Sequence, residues 1–81
     1  MSDKIAKQLG VTAAGLRLLA RAASQPDGRA SGPGFGFSAA GARARLTNAG
    51  LVEDTGEKYP FQSRITSRGR ELVAQARILG W

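Results

Sequence analysis

A chain of 81 residues with twelve lysines and arginines against six acidic residues carries a net charge of +6, with no cysteine and no histidine. That composition excludes disulfide staples, thiol nucleophiles, the usual zinc ligand sets and a histidine general base. The length sets one domain over residues 1–81 with a small core, since a chain this short buries only about 60–65% of its unfolded surface.

Ser2 or Asp3 is placed to cap a short helix over residues 2–10, closed by Gly10. Thr12 then caps a longer helix over 12–24. At 100° per residue, Ala13, Leu16, Leu19, Ala20 and Ala23 fall on one apolar face and Leu18, with Ala14, Gly15 and Ala22, on a second, while Arg17 and Arg21 make an exposed stripe. A helix apolar on two sides is sandwiched between neighbours. Residues 25–37 hold two prolines and four glycines, which rules out a regular helix and predicts a loop. Within it Phe35 and Phe37 alternate with glycine, as suits an extended segment. Ser38 caps the next helix, over 38–49, and Gly50 stops it. Ala39, Ala42, Leu46 and Ala49 are expected inward, while Ala40, Gly41, Ala44, Thr47 and Asn48 face out with Arg43 and Arg45 at their flanks. A hairpin over 51–65 turns through Thr55 to Pro60. Thr66 or Ser67 opens a last helix over 66–81, with Leu72, Ala76 and Leu79 on its core face and Val73, Ile78 and Trp81 directed elsewhere.

The expected class is mainly α with a small β-hairpin (α+β). The order helix, Gly50-Leu51-Val52, polar turn, Arg64-Ile65, Thr66-Ser67, helix resembles the second half of a winged helix-turn-helix DNA-binding domain of three to four helices. The resemblance implies that the helix over 38–49 is the recognition helix, that the hairpin is the wing, and that an extended segment such as the one holding Phe35 and Phe37 supplies a short third strand beside it. The second helix of the usual motif is replaced by the loop over 25–37.

Nine of the twelve cations are arginine, whose planar fork suits phosphate oxygens and guanine edges. Duplex DNA is accordingly the expected partner, contacted by Arg43, Arg45, Thr47 and Asn48 on the helix and by Lys58, Arg64 and Arg68 at the wing. Lys4 to Leu16 also resembles the bihelical motif of classical repressors, which would turn Thr12, Arg17 and Arg21 to DNA instead. Gly34-Phe35-Gly36-Phe37 resembles an RNA-binding octapeptide without its basic flank, and core or loop aromatics explain it better. The acids Asp3, Asp27, Glu53, Asp54, Glu57 and Glu71 form no catalytic pair, so neither an enzyme, a metal site nor a cofactor is expected. The functional expectation is a transcriptional regulator or phage-type accessory factor. The alternative is a protein-interaction module on the same scaffold. Val73, Ile78 and Trp81 are expected either to form a homodimer contact or to dock onto the N-terminal helix. No stretch approaches the roughly 18–20 apolar residues of a membrane span. The first residues lack the apolar core of a secretory leader, so the expected location is cytoplasmic.

Overall fold

The computed structural model describes residues 2–35 and 39–81. In chain order, α1 spans Ser2–Gln8, α2 Ala13–Ser24, α3 Ala39–Asn48, β1 Val52–Asp54, β2 Ser63–Ile65 and α4 Ser67–Ile78. About half of the chain is helical, and the arrangement is a small α+β fold compatible with winged-helix topology. The caps expected of Ser2 or Asp3 and of Ser38 lie outside the described residues and side chains.

Local chemistry sets the boundaries. The Thr12 side chain accepts the Gly15 N–H at 2.9 Å and starts α2. Thr66 does the same for α4 through Gly69 N–H at 3.1 Å, and its hydroxyl also donates to the Gly50 carbonyl at 2.7 Å. Thr66→Ala therefore removes a cap and a tie between helices, and is expected to cost about 1–2 kcal/mol. Thr66→Ser restores most of it in a denaturant titration. At the other end of α3, Gly50 adopts φ +77, Leu51 N–H reaches the Leu46 carbonyl at 2.9 Å and Gly50 N–H reaches Thr47 at 3.1 Å. This closure delivers the next residue, Leu51, into the core. The same pair of bonds closes α1 ahead of Val11 and α4 ahead of Trp81. Both of those residues pack on the cluster of Ala6, Leu16 and Ala76.

α2 lies at the centre and touches α1, α3, α4 and β2. Leu18, Leu19 and Ala22 enter the main cluster with Ala30, Phe35, Leu46, Leu51, Val52, Ile65 and Val73, while Leu16 belongs to the smaller one. Both apolar sides of α2 are thereby used, and Arg17 and Arg21 stay exposed.

β1 and β2 are antiparallel, with Val52 opposite Ile65, Glu53 opposite Arg64 and Asp54 opposite Ser63. The register points Val52, Ser63 and Ile65 inward and Glu53 and Arg64 outward. Arg29 forms an isolated antiparallel bridge to Arg64, with Ala30 N–H donating to Ser63 at 2.9 Å and Ile65 N–H to Gly28 at 2.8 Å. The extended segment beside the hairpin is thus 28–30, ahead of the one expected around Phe35 and Phe37. Phe35 is buried in a turn, its N–H bonded to Gly32 at 3.1 Å, and Phe37 lies outside the described residues. Fully buried Ser31 completes the stitch, donating to the Pro60 carbonyl at 2.9 Å and accepting Ser63 N–H at 3.2 Å.

Two expectations for the last helix change. Its inward positions are Gly69, Val73 and Ala76, flanked by Leu72. Val73 is therefore interior and unavailable to a partner. Leu79 caps α4 with its N–H still bonded to the Gln75 carbonyl at 3.0 Å, but its side chain is 43% exposed rather than on the core face. Trp81 docks on the α1 side of the molecule, leaving Ile78 as the exposed residue of the expected dimer trio. On α3, Leu46 is buried and Ala42 half-buried, whereas Ala49 is exposed rather than inward; the side chains of Ala39 and Ala40 lie outside those described.

Candidate nucleic-acid interface

α3 crosses α2 with a cleft on each side of the crossing. Leu46 is seated against Gly15, with its Cδ2 3.5 Å from where a Gly15 Cβ would stand. One cleft, of about 290 Å³, is lined by Ala14, Arg17, Leu18 and Arg21 of α2, by Gly34 and Phe35, and by Ala42 of α3. The other, of about 440 Å³, runs between the α1–α2 turn and α3 and is lined by Lys7, Gly10, Val11, Thr12, Gly15, Ala42, Arg45, Leu46 and Ala49. Ala42 borders both. The helix therefore stands as a ridge with Arg17 and Arg21 on one flank and Lys7 and Arg45 on the other. No carboxylate lines either cleft among the described residues.

The expected contact residues divide. Arg45, Thr47 and Asn48 are exposed on α3. The Thr47 hydroxyl donates to the Arg43 carbonyl at 2.8 Å, so toward a base edge it offers an acceptor. Arg43 is half-buried, with its Nε donating to the Ala30 carbonyl at 3.1 Å, and it fastens α3 to the loop rather than projecting from the ridge. Arg43→Ala is expected to lower thermal stability while leaving the salt dependence of any polyanion binding unchanged, the reverse of Arg45→Ala. Melting curves and salt titrations of both variants separate the two roles.

At the hairpin Arg64 Nη2 meets Glu53 Oε1 at 3.1 Å with both side chains about half exposed, a pairing worth no more than about 1 kcal/mol. Lys58 is exposed on the turn. Arg68 leans over the end of α3, its Nη1 3.6 Å from where a Gly50 Cβ would stand. Arg29 is committed internally, donating to Ser31 at 2.7 Å and lying 5.6 Å over the Phe35 ring.

Of the residues that the rival motif turned to DNA, Arg17 and Arg21 join the ridge, but Thr12 Oγ1 already accepts the Gly15 N–H as a helix cap. Lys7 belongs to the site and went unrecognised in the sequence. Its neighbourhood depends on α3 packing beside the α1–α2 turn, a contact between segments some forty residues apart that no local pattern encodes.

No protein-family model, curated protein or solved structure matches this chain. The arrangement is therefore read from its own geometry. Asp27, Glu53, Asp54 and Glu57 lie on the hairpin and the loop beside it, interspersed with Arg29, Lys58 and Arg64, and Glu71 lies on α4; none of these acids lines either cleft. No helix is long and apolar enough to cross a membrane, and no group of three or more acidic side chains is placed to hold a metal ion, among the described residues.

Proposed function

We propose that the chain binds duplex DNA without catalysing a reaction, as a small winged-helix regulator or accessory factor, with α3 entering the major groove. The observation that carries this reading is the placing of two cations on either flank of one exposed helix, with no carboxylate lining the adjoining clefts. A helix fits the major groove, and flanking cations then face the phosphates of the two strands. Asn48 is the donor nearest the bases, Arg45 is one of the flanking phosphate contacts, and Arg68 adds another at the helix end. The exposed Gly41 and Ala44 present no hydrogen-bonding side chain, so affinity is dominated by phosphate and sequence preference is modest.

The test is fluorescence anisotropy with random duplex, single-stranded DNA and RNA across a salt series. With four to six phosphates neutralised, log affinity for duplex falls with log salt at a slope of roughly −3.6 to −5.4. A flat salt response, or equal affinity for all three nucleic acids, would remove the proposal.

A second reading draws on the wing. Tyr59 is 68% and Phe61 47% exposed beside Asp54 and Glu57, an acidic and aromatic tip that suits a basic protein surface better than phosphate. Capture of a stoichiometric protein at high salt, lost in a Tyr59→Ala, Phe61→Ala variant and accompanied by no DNA binding, would favour it over the first.

A further inference from the structure

The larger cleft beside α3 has a feature that phosphate contact does not use. Between Lys7 on one rim and Arg45 on the other, its floor is apolar, built from Val11, Gly15, Ala42, Leu46 and Ala49. A phosphodiester is hydrophilic along its length and gains nothing from such a floor. Glycine stands at two of the cleft's lining positions: a Cβ at Gly10 would meet nothing within 4 Å, and one at Gly15 would lie 3.1 Å from Thr12 Oγ1 and in ordinary contact, at 3.5 Å, with Leu46 Cδ2. At about 440 Å³ the cleft is of small-molecule size, within the ~300–1,000 Å³ typical of such sites. Its two charged lining residues are both cationic.

We propose that this cleft binds an apolar molecule bearing one anionic head, of the type of a medium-chain carboxylate. The chain lies over Val11 and Leu46, and the carboxylate sits between Lys7 Nζ and the Arg45 guanidinium. Burying a hydrocarbon tail on the floor supplies affinity of about 0.8 kcal/mol per methylene. The two cations select the sign of the head. The consequence for regulation rests on the DNA-binding reading above: a carboxylate between Lys7 and Arg45 neutralises half of the four flanking cations, so ligand and duplex compete.

Three probes separate the elements of the site in ¹H–¹⁵N spectra of the full chain: decanoate, decyltrimethylammonium with the same tail and the opposite charge, and acetate with no tail. Decanoate is expected to shift the amides of Gly10, Val11, Gly15, Leu46 and Ala49 saturably, with decyltrimethylammonium and acetate at least tenfold weaker. Lys7→Gln with Arg45→Gln, both at exposed positions, is expected to weaken decanoate at least tenfold and leave decyltrimethylammonium unchanged. Equal binding of the two amphiphiles, or shifts centred on Ile78 and Leu79 instead, would overturn the site. Duplex affinity measured with and without saturating decanoate then addresses regulation. A drop of tenfold or more supports it, and no change overturns it while leaving the ligand site standing. Absence of duplex binding without decanoate counts against the DNA reading alone, because the amide shifts are recorded without DNA.

Discussion

Replacing Lys7, Arg17, Arg21 and Arg45 together by alanine is expected to lower duplex affinity about a thousandfold at ~0.15 M salt. The magnitude follows from counterion release. Each neutralised phosphate contributes about 0.9 to the slope of log affinity against log salt, which is roughly 0.7 log units at 0.15 M relative to 1 M, so four contacts make about three. The same variant is expected to flatten that slope by roughly 3.6. All four side chains are exposed, and none of them forms an ion pair among the described residues. The melting temperature is therefore expected to change little, which separates lost contacts from lost fold. As a control, alanine at Arg64, Arg70 and Arg77 removes three positive charges away from the two clefts and is expected to have a much smaller effect. Parity between the two sets would mean that net charge alone, and not the ridge, sustains binding.

The largest effect on stability is expected at Gly69. Alanine favours a helix over glycine by about 1 kcal/mol, so local propensity predicts that Gly69→Ala stabilises α4. Packing predicts the opposite. A Cβ at Gly69 would collide with the Leu51 carbonyl oxygen and stand 2.6 Å from Ile65 Cγ1, in a buried position. Neither neighbour is free to yield. The Leu51 carbonyl accepts Thr66 N–H at 3.0 Å and Ile65 is held in the strand pairing. Overpacking of this kind costs about 1–3 kcal/mol and at times more. A net destabilisation of about 2–4 kcal/mol is expected, a large share of the roughly 4–12 kcal/mol that a chain of this length has to lose. Gly41 on α3 gives the contrasting case, since a Cβ there meets nothing within 4 Å, and Gly41→Ala is expected to stabilise by up to about 1 kcal/mol. Urea titrations in which both alanines act with the same sign would show that α4 does not approach the hairpin as described.

What could be read from the residues was whatever neighbours in sequence decide. Thr12 and Thr66 cap their helices because a hydroxyl reaches an N–H three residues on, and Gly50 ends α3 because glycine accepts the left-handed turn. The two sides of α2 were visible in the spacing of Leu16, Leu18 and Leu19. The errors fall where distant segments decide. Val73 and Leu79 are equally apolar, and only the packing of Gly69 onto Leu51 and Ile65 shows that Val73 turns inward. The strand-like stretch was sought at Phe35, where aromatics alternate with glycine, but backbone pairing selected Gly28 to Ala30, whose side chains carry no strand signal. At the candidate interface, Arg45 and Asn48 were legible from the exposed side of α3. Arg43, two residues from Arg45, differs because the Ala30 carbonyl lies within its reach. Lys7 and Arg17 became parts of one surface only when α1, α2 and α3 were brought together.

The stretch from Gly28 to Ser31 has a mechanical consequence. Its backbone and the Ser31 hydroxyl are sewn to β2 and the hairpin turn, while the Ala30 carbonyl holds Arg43 of α3. Helix α3 and the hairpin are thereby clamped into one calliper of set gauge, despite the glycine and proline content of the connecting chain. Anything gripped by both jaws must bring the matching width or bend to acquire it. On the DNA-binding proposal, the elastic work of that bending falls on the duplex, so discrimination by stiffness is available to a surface with few groups for reading bases.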